Sequence, residues 1–342
     1  MLTRKTFIRK SLLAAASLHA LPKNVFANKK DAMVMTVNGL MLSNKMQFTL
    51  THEHVLCDFT GAEKYSAANH NADGVYARAL PFLQDVKSKG CVTFIDCTPA
   101  YIGRDVQLLQ RLSQTTGLNI ITNTGFYGAA GEKYFPSFVY TETANEIANR
   151  WINEWQHGIE RTNIKPGFIK SGVDKAPLSA AQQKIIEAAA ITHLATGLTI
   201  AVHTGDGEAA KEQLRILATK GVSPAARIWV HAQNETGKAY HIEAARNKSW
   251  VSFDGVNKEN IATYLQFLQN MKAEQLLDNV LVSQDSGWYT VGEPNGGNYK
   301  DYNSIFTHFI PALKENGFTA AEIEKIFVTN PAKAFAVGVR KL

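Results

Sequence analysis

Short runs of β-branched and aromatic residues alternate along the chain with longer stretches whose apolar positions recur every three or four residues. The runs read QFTLTHEH, CVTFIDCT, NIITNTGF, GFIKSGV, LTIAVHT, RIWVHAQ, WVSFDG and NVLVSQD. Their length and composition predict eight buried strands. Between them lie segments such as AQQKIIEAAAITHLATG and KENIATYLQFLQNMKAEQLL, whose spacing predicts helices. Gly90, Gly117, Gly197 and Gly221 fall just before the next strand or its approach, where helices commonly end. A hairpin-like stretch, TVNGLMLSNKMQFTL, opens the pattern. Strands separated by helices predict a parallel α/β sheet, and eight of them predict closure as a single-domain (β/α)8 TIM barrel. The competing fold, an open doubly wound sheet, usually carries a glycine-rich phosphate turn after its first strand. Here that strand is followed by HEHVLCDFTGAEKY, with no such turn.

In a barrel of this kind the active site lies at the C-terminal ends of the strands. Strand one ends in His52 and His54, which alternation places on one face. Strand four carries Lys170, strands five and six end in His203 and His231, and strand eight ends in Asp285. Alone, each has an ordinary reading: a hydrogen-bonded histidine, a snorkelling lysine, a turn aspartate. Six such groups at one rim point instead to a metal site.

Composition adds a boundary and little else. The formal charge is +6, but Arg4, Lys5, Arg9, Lys10 and Lys23 lie within residues 1–27, which contain no acid. The rest of the chain has 31 basic and 30 acidic residues, so nothing suggests a nucleic-acid partner. Residues 1–27, with an apolar run from Ser11 to Leu21 and small residues at Ala20 and Ala27, read as an export signal. The segment resembles a twin-arginine signal, with Arg4-Lys5 where two arginines are usual, so either that route or the general secretory one to the periplasm is expected. The barrel then spans residues 28–342, with no run long and apolar enough to cross a membrane. Cys57, Cys91 and Cys97 make no disulfide framework and read as core residues.

The order HxH, Lys, His, His, Asp on strands one, four, five, six and eight resembles the phosphotriesterase family of the amidohydrolase superfamily, its lactonase-containing group included. NTGFY at 123–127 and DSGWYTVGEPNGG at 285–297 add to the likeness. The resemblance implies two divalent metal ions, usually zinc. His52, His54 and Asp285 would hold the more buried ion and His203 and His231 the more exposed one. Lys170, carboxylated on its amine to N6-carboxylysine, would bridge them. An unmodified ammonium has no lone pair to offer a metal, whereas a carbamate has. A hydroxide shared by the two ions would attack the substrate, with Asp285 accepting its proton.

The pattern departs from the family at two points. Asn234 stands where many relatives have an aspartate that relays the proton, leaving Glu235 or Asp254 as substitutes. Gly255 stands where lactonases commonly have an arginine. Phe126 and Tyr127 after strand three, Asp254 after strand seven, and Trp288 and Tyr289 in a short loop after strand eight are candidate pocket residues. The expected function is hydrolysis of a small-molecule lactone or carboxylic ester. Phosphotriester or N-acyl amide hydrolysis, and a metal-loaded barrel that binds without turnover, are the alternatives. Relatives of this kind are often homodimers.

Overall fold

A computed structural model describes residues 32–342, so the export signal read over residues 1–27 lies outside the described residues. Strands β1 (Met33–Thr36) and β2 (Gly39–Leu42) form an antiparallel hairpin. Ten further strands follow: β3 (Thr49–Cys57), β4 (Thr93–Asp96), β5 (Asn119–Ile121), β6 (Asn123–Thr124), β7 (Phe168–Val173), β8 (Thr199–Thr204), β9 (Arg227–Val230), β10 (Trp250–Phe253), β11 (Val280–Val282) and β12 (Gly287–Thr290). All ten pair in parallel, in the orders β12-β3-β4-β5 and β6-β7-β8-β9-β10-β11. Thr122 alone separates β5 from β6, so these are two pieces of the third barrel strand. β11 and β12 are likewise two pieces of the eighth, and the fold is the expected (β/α)8 barrel.

The seam between the first and eighth strands is irregular. β11 stops at Val282, and β12 takes up the pairing with β3 from Gly287, opposite His54. Between them the Asp285 N–H donates to the His52 carbonyl (3.1 Å), and the His54 N–H donates to that of Ser286 (3.0 Å). Asp285 therefore sits in a turn inside the eighth strand, where the sequence places it at the strand's end. The following loop holds β12 and a 3-10 turn (Pro294–Gly296), and a longer helical segment begins at Ile305.

Alternation sorts each strand into a wall and an interior. Phe168, Ala201, Ile228 and Leu281 pack in one cluster with Ile95, Ile121, Val34 and Met46, so the opening segment contributes to the same core. Their neighbours Ile169, Ile200, Trp229 and Val280 belong to the clusters that include the surrounding helices. Two residues past Phe168 comes Lys170, and two past Ala201 comes His203, which is how apolar strands present polar tips at one end. Helices form where expected, including Ala180–Thr196 and Ile261–Ala273. Gly117 and Gly197 cap theirs with φ of 70° and 78°, a conformation glycine adopts without steric cost.

Candidate active site

At the C-terminal mouth, a cavity of about 190 Å³ is lined by His52, His54, Lys170, His203, His231 and Asp285. All six rim residues singled out in the sequence thus meet in one place. Tyr127 and Trp288 also line it, with Phe59, Pro99, Ile102 and Tyr134. Cys57 and Cys97 face it as free, buried thiols, and Cys91 is free and buried elsewhere.

The imidazoles form a chain. Ring centroids are 5.3 Å apart for His52 and His54, 4.8 Å for His52 and His231, and 4.5 Å for His203 and His231. Burial holds the pKa values of His52 and His203 well below the ordinary histidine value. Both are therefore neutral with a free lone pair, the form that binds metal. His54 Nε2 lies 3.1 Å and His52 Nε2 3.7 Å from Asp285 Oδ1. Burial alone would raise the Asp285 pKa, but the close approach of the His54 imidazole and the charges of His231 and His52 pull it below the usual carboxylate range.

Neither ring nitrogen of His52 nor Oδ1 of Asp285 has a hydrogen-bond partner, although all are buried. Such orphans are rare in folded proteins and call for an explanation. His52, His54 and Asp285 supply three donor atoms within 4.8 Å of one another, which a divalent ion would satisfy. His52, His231 and Asp254 form a second close group. Asp254 already accepts from the His231 N–H, His231 Nδ1 (2.6 Å), Gln233 Nε2 (3.1 Å) and Ser252 Oγ (2.7 Å). With its oxygens so engaged it orients the histidine, as carboxylates behind metal-bound imidazoles do. His54 has the same kind of support, its Nδ1 lying 2.7 Å from Thr98 Oγ1.

Backbone geometry aims several of these groups. His231, Asp285 and Trp288 have φ of 58°, 53° and 74°, strained values that for side-chain-bearing residues persist only where surroundings enforce them. Gly287 is required: with φ of 95°, an added Cβ would stand 1.9 Å from the His54 carbonyl oxygen.

Three of the candidate pocket residues lie off the cavity. Phe126 follows Gly125, whose φ is 127°, and packs against Tyr101, Phe138 and Trp151 in the outer core. Tyr289 follows left-handed Trp288 and packs on Gly296 and the outer core. Asp254 lies fully buried behind His52 and His231. Glu235 accepts from the Gly207 and Gly237 N–H groups, and Asn234 Nδ2 is 3.5 Å from the Thr204 carbonyl. His193 and His241 are buried on backbone partners, Leu198 and Ala232. Glu53, fully buried between the two histidines of β3, is a residue that the sequence does not single out. A lone acid between two polar residues carries no periodic signal.

Residues 32–335 match the model of the phosphotriesterase family. The chain belongs to the phosphotriesterase family. Family membership makes it a hydrolase, and the family is binuclear and metal-dependent, in keeping with the donor groups found here. It is 28% identical to the phosphotriesterase homology protein of Escherichia coli, over 84% of this chain and 97% of the relative. It is 27% identical to the aryldialkylphosphatase of Saccharolobus solfataricus, over 86% and 96%. The organophosphorus hydrolase of Deinococcus radiodurans superposes with a TM-score of 0.81 at 26% identity, covering 90% of this chain and 98% of that one. Other family relatives are named phospho-furanose lactonase (Mycoplasmopsis agalactiae) and N-acetyltaurine hydrolase (Homo sapiens).

Proposed function

We propose that the chain is an exported binuclear metal hydrolase acting on a lactone or carboxylic ester. The cavity wall carries this reading. Beside the histidines and Asp285 it offers Phe59, Pro99, Ile102, Tyr127, Tyr134 and Trp288, and its one cation is Lys170, buried in the floor. Two further ammoniums stand next to lining residues, Lys300 Nζ 5.1 Å from the Trp288 ring and Lys133 Nζ 5.6 Å from that of Tyr134. Trp288 stands edge-on to His54 at 5.4 Å and beside Phe59 at 5.5 Å, closing one side. Export rests on the basic, then apolar, character of residues 1–27.

In this reading His52, His54 and Asp285 would hold one ion and His203 and His231 the other, with Lys170, once carboxylated, a shared ligand. Lys170 is 2% exposed, and burial lowers its pKa, which raises the fraction of neutral amine. That amine adds carbon dioxide, forming an N–C bond, releasing a proton and leaving an anionic carboxylate. When bound, the ions would lower the pKa of a water ligand to about 7 and polarise the substrate's carbonyl oxygen. Asp285, with Oδ1 free of hydrogen bonds, accepts the proton of the attacking water. Asp254 keeps His231 in one tautomer and orientation. Phe59 and Trp288 hold the acyl portion and exclude water around it.

The test is proton release by leaderless, metal-reconstituted protein, with lactones, aryl esters, a phosphotriester and N-acyl amides compared. Turnover of lactones or esters that vanishes in Lys170→Ala is expected. Turnover confined to another class moves the substrate, turnover surviving in Lys170→Ala removes the bridge, and metal-loaded protein inert to all favours binding alone.

A further inference from the structure

We infer that Glu53 is a positioning residue whose carboxylate holds the turn in the eighth strand so that Asp285 faces His52 and His54. Glu53 stands between the two histidines on β3 and is 0% exposed. Its Oε1 accepts from Ser283 Oγ at 2.7 Å and from the Gln284 N–H at 3.0 Å, and its Oε2 from the Ser286 N–H at 2.8 Å. The Ser283 hydroxyl in turn accepts the His52 N–H at 3.0 Å. One side chain therefore grips both flanks of Asp285 and, through Ser283, the backbone of a neighbouring candidate ligand. The peptide groups complete the grip, with Asp285 N–H on the His52 carbonyl and His54 N–H on that of Ser286.

Closing a barrel does not by itself call for a buried acid. Backbone pairing alone joins β7 to β8 and β8 to β9 in this sheet. Burying an acid is costly unless donors satisfy it. Burial pushes the Glu53 pKa up to about 8 against the pull of its three donors, and among the described residues Glu53 has no cationic partner within ion-pair distance. Its satisfaction comes from three donors that all belong to residues 283–286. Those residues are where the eighth strand leaves its ladder and where Asp285 takes its left-handed φ of 53°. An acid at position 53 thus allows the strand to break there and still remain rigid.

The inference rests on the metal reading above, and the experiment separates the two. Wild-type and Glu53→Gln apoproteins would be titrated with zinc in competition with a chromophoric chelator. Melting temperatures would be taken with and without the metal. An amide offers one acceptor oxygen, and its NH2 would oppose either the Ser286 N–H or the donors of Ser283 and Gln284. The expected result is zinc affinity reduced about 10- to 100-fold, the range for partners behind metal ligands, and a smaller gain in melting temperature on adding zinc. A purely structural role would lower both melting temperatures alike and leave the gain intact, overturning the inference. Ser283→Ala keeps the acid but removes its link to His52. Should Glu53→Gln not fold, Ser283→Ala decides between the outcomes: weakened zinc binding supports the inference, and wild-type binding overturns it. Wild-type protein that takes up no zinc overturns the functional reading and this inference together, whereas tight wild-type binding matched by Glu53→Gln overturns this inference alone.

Discussion

Asp254 Oδ1 lies 2.6 Å from His231 Nδ1, and its other oxygen lies 3.5 Å from His52 Nδ1. One buried carboxylate thereby addresses an imidazole from each half of the site. The hydrogen bond fixes the His231 tautomer, leaving Nε2 as the lone-pair nitrogen. Asp254→Asn keeps the shape but can present an N–H to His231 Nδ1, favouring the other tautomer. Metal affinity or activity is expected to fall roughly 10- to 100-fold, measured by metal content after dialysis and by turnover. Unchanged metal retention would remove Asp254 from the site.

Metal removal is expected to cost stability as well as activity. Ligands that bind only the folded chain stabilise it by about 2.7 kcal/mol at a hundredfold excess over Kd. A chelator should therefore lower the melting temperature, and added zinc should restore it. Calorimetry with and without chelator checks this, and identical transitions would contradict the metal assignment.

Acid should loosen the fold through buried histidines that do not line the cavity. Burial lowers the pKa values of His193 and His241. In the unfolded chain both return to about 6.5, so between the folded value and 6.5 the unfolded state binds more protons. Stability then falls as pH drops through that window and is retained above it. Denaturant unfolding at several pH values measures the slope, which should shrink in a folded His241→Gln variant. A slope unaltered by that change would rule His241 out as a contributor.

Gly287→Ala is expected to be among the most damaging single-methyl additions. Its Cβ would lie 1.9 Å from the His54 carbonyl oxygen and 2.4 Å from the Tyr302 hydroxyl, at a φ of 95°. The left-handed backbone alone costs about 1–2 kcal/mol, and the clash must displace either β3 or β12. Loss of both soluble yield and zinc binding is the expected outcome, whereas near-wild-type melting and binding would show that the seam can give.

Much of this architecture is legible because alternation holds within regular strands. Phe168 to Lys170 and Ala201 to His203 are two-residue steps on one face, so a polar residue after an apolar run marks the mouth. Legibility ends where the backbone turns left-handed. Phe126 and Tyr289 each follow a residue with φ above 70°, which resets the faces and carries both rings outward. Asp285 is visible by its residue type, although its turn inside the eighth strand is not. Thr98 and Glu53 stay hidden because their importance lies in partners, and partners 44 and 230 residues away leave no local pattern.

The seam also joins the two ends of the chain. His52 and His54 belong to the first barrel strand, while Asp285 arrives with the last, and Glu53 meets Ser283 across 230 residues of chain. Pairing of such range is slow and comes late. A chain lacking its final strand can fold helices and pair neighbouring strands, yet it cannot complete the donor set at the mouth. Tight metal capture is thus a report that the ends have met, and an ion bound there acts as a clasp on the finished ring.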